Sequence, residues 1–434
     1  MSDAEKSRFG RRLLPSRSPD VMLALLAACL VLSPVSTKMA GAAWLVVSVW
    51  GLARLFVPCR VGVDKGFDHA GAARFWLVAC VLSTLLAAFA LGWWHDPWDE
   101  LNTPLRLLFG ALGVYLIIAR GAPLPRCLRH RCGDVLAAAC VAAFACILFL
   151  TLRDPFPRNL LPANAIVWAL AVAFMLGLLA SLAAWEAVST VRQRWWMLGL
   201  LAGSAAVVLS QSRSALAIFP WMAWVLVVRW RRVHGTWPLA RIAGLLMAAC
   251  VVLAAAWFAP GDPLRMQVAR HDISKVENAD NYNTSMGTRL YLWALACRGI
   301  SESPWLGIGQ KAALSRIHHV GDELPPAERG RLSYVRTMGH VHNDFLNAAL
   351  DGGVPGLASV LVLIGALLVL AHRFSKSDSL AAQQLRGVAF IVVTAGLTNV
   401  NFAHNYYAVT LSLVLAIILL GAAFSRPGDP PPAP

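Results

Sequence analysis

Residues 163–186 read ANAIVWALAVAFMLGLLASLAAWE, and the only charged residue in this stretch is Glu186 at its end. A helix needs about 20 mostly apolar residues to cross the hydrocarbon core of a bilayer, which is roughly 30 Å thick. The stretch meets that length, and it lacks the amphipathic stripe that a helix of a soluble protein would show. It therefore predicts a membrane-spanning helix.

Similar apolar runs recur along the whole chain of 434 residues, which is 58% hydrophobic and only 14% charged. A typical soluble domain has roughly 25% charged residues. The sequence therefore predicts an all-α polytopic membrane protein. About twelve spans are expected from the lengths of the runs, at residues 21–37, 39–57, 73–94, 104–119, 133–152, 163–186, 195–210, 214–229, 240–259, 345–372, 384–401 and 404–424.

The first of these runs, Val21 to Val35, follows a basic segment, an order that is also found in signal peptides. No small-residue cleavage site leads from it into a soluble domain, and the next apolar run begins at once, near Met39. We therefore expect the first run to be retained as a helix.

Lysine and arginine residues alternate between the two sides of the predicted bundle. One set of short loops holds groups such as Arg60 with Lys65 and Arg231 with Arg232, whereas the complementary loops hold few basic residues. Because short basic loops stay in the cytoplasm, we expect both termini to be cytoplasmic. The chain then divides into helices one to nine (1–259), a long outer loop with short amphipathic helices (260–344), helices ten to twelve (345–424) and a disordered tail (425–434).

The composition argues against several other kinds of function. The net charge of +15 is concentrated in the loops of one side, and no zinc-finger or RNA-binding pattern accompanies it, so no nucleic acid partner is expected. The long outer loop contains only one cysteine, Cys297, and cannot close a disulfide on itself. Cys127 and Cys132 lack the further ligands of a tetrahedral zinc site, so no bound metal is predicted.

Two outward-facing positions carry arginines that are candidates for substrate binding. Arg213 lies in the short turn LSQSRS at 209–214, and an arginine at membrane depth costs about 2.5–3.5 kcal/mol on insertion scales, so it usually has a partner. Ser285, Arg289 and Trp293 share one face of a predicted helix at i, i+4 spacing. The plainer alternatives are an arginine that reaches the membrane interface and an interfacial helix whose arginine contacts lipid phosphate.

A third position combines histidines with a helix start. The segment GHVHNDFLN at 339–347 contains His340 and His342 and is followed by LDGGVPGL at 350–357. Imidazole titrates near neutral pH and is therefore suited to proton transfer. Alternatively, His342 or Asn343 only caps the helix, and the glycines only permit close packing.

Together these elements resemble the signature of bacterial O-antigen ligases and the related O-antigen polymerases. The resemblance rests on His342-Asn343 followed by Gly353-Val-Pro-Gly356, on the turn at Arg213, on the segment from Ser285 to Trp293 and on SPWLGIG at 303–309. The order of these motifs, the number of spans and the large outer loop also agree with the family, so the resemblance covers nearly the whole chain. It implies a multi-pass glycosyltransferase of the bacterial inner membrane, surrounded by membrane lipids, whose active site faces the periplasm.

The resemblance also implies the substrates and the roles of the residues. The donor would be a glycan on undecaprenyl pyrophosphate, and the acceptor would be a sugar hydroxyl of the lipid A core. The sequence has no Asp-x-Asp pair to hold a divalent metal, so no metal or other cofactor is expected, and Arg213 and Arg289 would neutralise the pyrophosphate through bidentate contacts.

In this interpretation His342 would be the general base, and His340 or Asn343 would orient it or the acceptor. Ser285 and Trp293 would complete the set of substrate-binding residues. Direct displacement by the acceptor hydroxyl would invert the anomeric centre.

The sequence therefore favours an O-antigen ligase. Within the superfamily the alternative is an O-antigen polymerase, which joins lipid-linked repeat units. An alternative of another class is a non-catalytic transporter of lipid-linked glycans, but the predicted spans are almost uncharged and offer few polar groups to line a path.

Overall fold

The computed structural model describes residues 18–56, 68–122, 124–125, 127–154, 157–235, 266–279 and 281–424. Within these ranges the chain forms helices and no β-strand, which confirms the all-α class. The ninth predicted span at 240–259, the basic segment before residue 18 and the predicted disordered tail at 425–434 lie outside the described residues.

Each predicted span that falls within the described ranges corresponds to a helix. Short 3-10 segments connect several of them, and two lie beside functional motifs, at Arg213–Ala217 and Val335–Thr337. The helices are α1 (Ser18–Leu32), α2 (Thr37–Ala53), α3 (His69–Trp94), α4 (Asn102–Ala119), α5 (Leu128–Arg153), α6 (Ala165–Trp185), α7 (Thr190–Leu209), α8 (Ile218–His234), α9 (Met266–Ala279), α10 (Ser285–Glu302), α11 (Gln310–His318), α12 (Pro326–Arg329), α13 (Asp344–Phe374), α14 (Ser379–Gly396) and α15 (Asn405–Phe424).

Seven helical segments of the described chain are long and apolar enough to cross a membrane. They contain α2, α3, α4, α5, α6, α13 and α15. The remaining predicted spans correspond to helices that are shorter or more polar, or they fall outside the described ranges. The chain is therefore a multi-pass membrane protein, and the count of twelve spans stays a prediction.

The helices α6 and α15 form the centre of the bundle. In their most apolar windows 89% and 83% of the residues are buried, compared with 28–50% in the other five segments. Trp168 of α6 donates from its indole nitrogen to the carbonyl of Pro34 at 2.7 Å, and the Phe174 ring packs 5.8 Å from that of Tyr407. Because the outer helices leave large apolar side chains such as Phe149 exposed, the outside of the bundle suits contact with lipid.

An ionic cluster ties four helices together at one end of the bundle. Arg129 at the start of α5 contacts Glu186 at 3.3 Å and also pairs with Asp378, and its Nε donates to the carbonyl of Gly421 at 3.2 Å. Glu186, the charged residue that ends the stretch quoted first, is therefore paired at the end of α6. This cluster links α5 and α6 to the start of α14 and the last turns of α15.

A kink in α13 explains two glycine-rich motifs. Gly353 has a φ of 58°, a left-handed conformation that interrupts the helix and that side chains rarely adopt. The segment 303–309 packs main chain to main chain against this kink, with Val354 donating to the carbonyl of Trp305 at 3.1 Å and Ile308 donating to that of Leu350 at 2.8 Å. A side chain at position 353 would lie 2.5 Å from the backbone of Trp305 and Leu306. The two motifs therefore build one structural joint beside the histidine segment.

Replacing Gly353 by alanine is expected to lower the free energy of unfolding by more than about 2 kcal/mol, because it adds both a left-handed backbone penalty and a backbone overlap. Thermal unfolding of the purified protein in detergent measures the effect. Gly365→Ala is the matched control, because Gly365 lies on the same helix and an added Cβ meets nothing within 4 Å. Equal melting temperatures for the two variants would contradict this account of the joint.

The helix predicted at 384–401 ends earlier, at Gly396. Residues 397–404 form a loop instead, and Thr398, Asn399 and Asn401 have side chains that make hydrogen bonds to other groups of this region. Asparagine and threonine compete with the helical backbone in this way, so an apolar window overestimates the length of the span. The shorter helix leaves a polar loop at the end of the bundle that is opposite to the ionic cluster.

Candidate functional site

Side chains from separate parts of the chain meet at the polar end of the bundle. We call this group the histidine–arginine site. Arg213 follows α7, Arg289 lies in α10, and the histidines precede α13 and α15. Its members are Arg158, Arg213, Arg289, His340, His342 and His404.

His340 packs against both of the other histidines. The ring centroids of His340 and His342 are 4.4 Å apart, and those of His340 and His404 are 6.3 Å apart, both in edge-to-face arrangements. Among the described residues no group of three or more histidine, cysteine or acidic side chains could hold a metal ion. Imidazoles that lie together in this way have the chemistry that proton transfer needs.

The environment keeps the imidazoles neutral. Burial, and next the positive charge of Arg289, lower the pKa of His342 to about 4, although its hydrogen bond to Asn399 acts in the opposite direction. Burial and the neighbouring His342 lower the pKa of His340 to about 4 as well. At neutral pH both rings therefore lack a positive charge and have a nitrogen able to accept a proton.

The arginines form a second, cationic part of the same site. The pKa of Arg289 is lowered first by burial and then by the positive charges of Arg213 and Arg158, so the three arginines act on one another electrostatically. Guanidinium groups that repel one another across a partly buried site are stabilised when a polyanion binds between them. Arg158 lies between α5 and α6, in one of the loops with few basic residues, and it was not among the residues predicted for the site.

Local hydrogen bonds fix the helix that carries Arg289. The side chain of Thr284 caps α10 by accepting from the backbone N–H of Gly287 at 3.0 Å, and buried Asp272 accepts from that of Met286 at 3.2 Å. Ser285 is exposed at the first residue of the helix, and Trp293 is partly buried one turn beyond Arg289. The expected helical face of Ser285, Arg289 and Trp293 is therefore formed, and their roles stay predictions.

The turn that carries Arg213 is anchored to the loop 397–404. Gln211 adopts a left-handed φ of 55° and ends α7, after which a 3-10 helix begins at Arg213. The hydroxyl groups of Ser214 and Thr398 are 2.7 Å apart and form a hydrogen bond. This hydrogen bond joins the turn that carries Arg213 to a loop that was predicted to be part of a membrane span.

The backbone of the histidine segment is held on both sides of His342. His342 itself has a φ of 55°, which is rare for a residue with a side chain and costs free energy that the surroundings must offset. The side chain of Asn343 accepts from the N–H groups of Phe345 and Leu346, each at 3.0 Å, and donates to the carbonyl of Leu397 at 3.1 Å. Asn343 therefore caps α13, as one of the two alternatives proposed, while His342 faces the site.

Three buried polar residues behind His342 were missed by the sequence analysis. Asn399, Asn401 and Asp344 are 1%, 0% and 3% exposed, and they form a hydrogen-bonded chain that ends at the His342 ring. Buried amides and carboxylates without partners are costly, so such a chain is a built feature of the fold. The asparagines in an apolar window near 400 were the one signal in the sequence.

A cavity of about 340 Å³ adjoins His340 on the side of α3 and α13. Its polar wall differs from the cationic part of the site because it is rich in carboxylates and amides, whereas its far end is apolar. The polar wall contains Asp96, Glu100, Gln310, His340, Asn347 and Asp351. Such a wall offers acceptors and donors for the hydroxyl groups of an uncharged sugar.

Comparison with known proteins bears on this arrangement. Residues 198–361 match a family model described as O-antigen ligase. The matched segment runs from α7 into α13 and contains Arg213, Arg289, His340, His342 and the kink at Gly353, which confirms the resemblance stated from the motifs. No curated protein matches the chain.

Proposed function

We propose that this protein is an O-antigen ligase, because residues 198–361 match the family model described as O-antigen ligase. It transfers a polymerised glycan from undecaprenyl pyrophosphate to a sugar hydroxyl of the lipid A core. The reaction takes place at the periplasmic face of the inner membrane. The arginines bind the donor and His342 acts on the acceptor.

The meeting of arginines and histidines at one site is the observation that carries this proposal. The positive charge of Arg289 lowers the pKa of the His342 imidazole, so a cation and a potential base act on each other there. Glycosyl transfer from a pyrophosphate needs this pair of groups. A cation must stabilise the charge that develops on the leaving group, and a base must take the proton of the attacking hydroxyl.

The proposed reaction is a single displacement. His342 accepts the proton of the acceptor hydroxyl, the hydroxyl oxygen forms the new bond to the anomeric carbon, and the bond from that carbon to the pyrophosphate oxygen breaks. Undecaprenyl pyrophosphate leaves with the electron pair, and Arg213 and Arg289 neutralise its charge. Attack opposite the leaving group inverts the anomeric centre.

Donor binding strengthens the base in this scheme. Without the donor, the charge of Arg289 contributes to the low pKa of His342. A pyrophosphate bound at Arg289 offsets that charge and raises the pKa of the imidazole towards neutral pH, where a general base works best. The base therefore becomes strong when the donor is in place.

The cavity beside His340 is the proposed place of the acceptor sugar. Carboxylates line it, so it repels the pyrophosphate and leaves the donor to the arginines. The two substrates then approach His342 from two sides. The buried interiors of α6 and α15, in which the described polar side chains are only hydroxyls such as Ser181 and Thr410, argue against a transport path through the bundle.

Deletion of the gene tests the proposed function. Lipopolysaccharide of the deletion strain is expected to lose its O-antigen while long polymer accumulates on undecaprenyl pyrophosphate. Loss of polymer length itself identifies a polymerase, and unchanged lipopolysaccharide rules out both activities. Transfer by the purified protein from a lipid-linked glycan to rough lipopolysaccharide then shows that the protein alone is sufficient.

The proposed topology predicts that Glu323 lies in the periplasm. In a Cys297→Ser background, which removes the exposed native thiol of the same segment, labelling of Glu323→Cys with a membrane-impermeant maleimide in intact spheroplasts is expected to be complete. The short basic loops stay in the cytoplasm, and the segment 260–344 is expected on the other side of the membrane. Lys376→Cys, in the basic loop after α13, is the matched control and should be labelled only after lysis. Protection of position 323 would contradict the topology and the mechanism together.

Transfer by the purified protein is expected to continue in excess EDTA, because arginines supply the positive charge in the proposed reaction. The measurement compares initial rates with and without the chelator. Loss of activity that Mg²⁺ or Mn²⁺ restores would contradict the arginine mechanism.

A further inference from the structure

We infer that a hydrogen-bond chain from Asp344 through Asn401 and Asn399 fixes His342 as the neutral tautomer with its proton on Nδ1, which leaves Nε2 as the base. The tautomer follows from the geometry of this hydrogen-bond chain with Asp344 as a carboxylate, the form that the N–H groups of Phe402 and Asn401 favour. The catalytic meaning of the tautomer rests on the proposed glycosyl transfer.

Asp344 determines which groups donate and which accept along the hydrogen-bond chain. Its Oδ1 accepts from the backbone N–H of Phe402 at 3.1 Å, and its Oδ2 accepts from the side-chain nitrogen of Asn401 at 3.2 Å. A backbone N–H can only donate, and an ionised carboxylate can only accept. Asn401 must therefore turn its amide nitrogen towards Asp344 and its oxygen away from it.

The orientation of Asn401 determines that of Asn399. The oxygen of Asn401 accepts from the side-chain nitrogen of Asn399 at 2.9 Å. Asn399 consequently presents its own oxygen to His342, and this oxygen lies 3.4 Å from Nδ1 of the ring. An amide oxygen can only accept, so Nδ1 of His342 must carry the hydrogen.

A neutral imidazole has one protonated nitrogen, so the Nε2 of His342 has a free lone pair. That nitrogen faces away from the hydrogen-bond chain and lies 3.2 Å from the sulfur of Met338. A thioether sulfur is only a weak acceptor, so the amide oxygen of Asn399 is the stronger partner for the single N–H of the neutral ring. Met338 covers the base in the resting site, and its flexible side chain can move when an acceptor hydroxyl arrives.

The surroundings of His342 prevent its ring from rotating so that Nδ1 turns away from Asn399. His342 has the left-handed backbone described above. The next residue, Asn343, donates to the carbonyl of Leu397, which lies two residues before Asn399 in the chain. Rotation of the ring would also separate Nδ1 from the only described group that accepts from it. The loop 397–404 therefore orients the base as well as contacting it.

The chain positions the base and does not carry protons. When Nε2 takes the proton of the acceptor hydroxyl, the ring becomes a cation that keeps its Nδ1 hydrogen bond to Asn399. The intervening amides have no proton site to relay, so Asp344 does not take part in the bond changes. Asn399, Asn401 and Asp344 are thus positioning residues.

Nitrogen NMR of the protein labelled with ¹⁵N-histidine tests the tautomer directly and needs no activity. The signals of His342 are identified by their absence in His342→Gln. The wild-type protein at pH 7 is expected to show Nδ1 protonated and Nε2 unprotonated. The opposite tautomer, or an equal mixture of the two, would overturn the inference even if the protein transfers glycans.

Substitutions in the hydrogen-bond chain are expected to affect activity differently if these residues position the base than if they are merely structural. Asp344→Asn permits the chain to reverse, so that Asn399 donates to Nδ1 and the proton moves to Nε2. We expect kcat to fall by about 10²–10⁴-fold with donor affinity unchanged, since a base held in the wrong tautomer loses activity on this scale. Asn399→Leu removes the acceptor and is expected to lower kcat while the NMR signals show a mixture of tautomers.

Asn399→Asp keeps an acceptor beside Nδ1 and adds a negative charge. The titratable groups that face His342 are Arg289 on α10, which is charged, and His340 and His404 in the adjoining loops, which are neutral. The new carboxylate acts against the charge of Arg289. We therefore expect Asn399→Asp to retain Nδ1–H and most of its activity, with the acid limb of the kcat/KM profile moved to higher pH. A purely structural role predicts the reverse order, because a buried charge disrupts packing more than leucine does.

Thr410→Val is the control for loss of a buried hydrogen bond, because Thr410 bonds only within α15, and it should transfer glycans at the wild-type rate. Wild-type kcat in Asp344→Asn, or an Asn399→Asp protein that is folded but as inactive as Asn399→Leu, would overturn the positioning role. If wild-type protein transfers no glycan, the proposed function fails, whereas the NMR result still decides the tautomer.

Discussion

Replacement of His342 by alanine is expected to reduce glycosyl transfer by about 10²–10⁴-fold, which is the usual contribution of a general base. Donor affinity should remain close to that of the wild-type protein, because the arginines hold the pyrophosphate. The measurement combines initial rates with binding of the lipid-linked donor in nanodiscs. The variant must also elute as a folded, monodisperse species.

Two other histidines serve as comparisons. His319→Ala removes an exposed imidazole of the same long segment and should leave transfer unchanged. His340→Ala is expected to retain part of the activity, since His340 lies between the other two rings and lines the cavity.

If His342→Ala transfers at a near-normal rate while His340→Ala is inactive, the base is His340. If His342→Ala loses donor binding in proportion to activity, His342 is a phosphate ligand.

Lysine in place of Arg213 or Arg289 is expected to lower kcat/KM for the donor by roughly tenfold to a hundredfold. Lysine keeps the charge but loses the planar fork, and one hydrogen bond to a charged group contributes about 1.5–3 kcal/mol. Arg298→Lys is the matched control, because Arg298 lies on the same helix as Arg289 and is exposed. The measurement is the donor dependence of the initial transfer rate.

The combination of the two lysine variants adds a sharper test. If both guanidinium groups contact one pyrophosphate, the double variant should lose less than the product of the single losses, because residues that share a ligand are not independent. Wild-type rates in both single variants would exclude bidentate binding at these positions. A loss in the Arg298→Lys control would point to a general effect on α10.

Arg158 also belongs to the histidine–arginine site, although its local sequence did not identify it as a site residue. Its charge acts on Arg289 although 131 positions separate the two in the chain. The sequence offered only a basic residue in an outer loop, and nothing in the local pattern indicated which arginines it would approach.

The sequence by itself determined the class of the fold, because the length of an apolar run and the distribution of lysine and arginine are local properties. The stretch at 163–186 predicts a membrane-spanning helix, and α6 is one of the seven helical segments of the described chain that are long and apolar enough to cross a membrane. The motifs around Arg213, Arg289 and His342 were also found locally, since unusual polar residues stand out at the ends of apolar runs.

The tertiary structure decided which of these residues act together and what holds them. The segment 303–309 meets the kink at Gly353 because two backbones approach closely, and no side-chain pattern records that contact. Most of the loop 397–404 was predicted to be part of a membrane span, because Asn399 and Asn401 are single polar residues in an apolar window. Their partners His342 and Asp344 lie 57 positions away in the sequence. Hydrogen bonds between such distant residues arise only when the helices are packed, so the orientation of the base is a property of the folded chain.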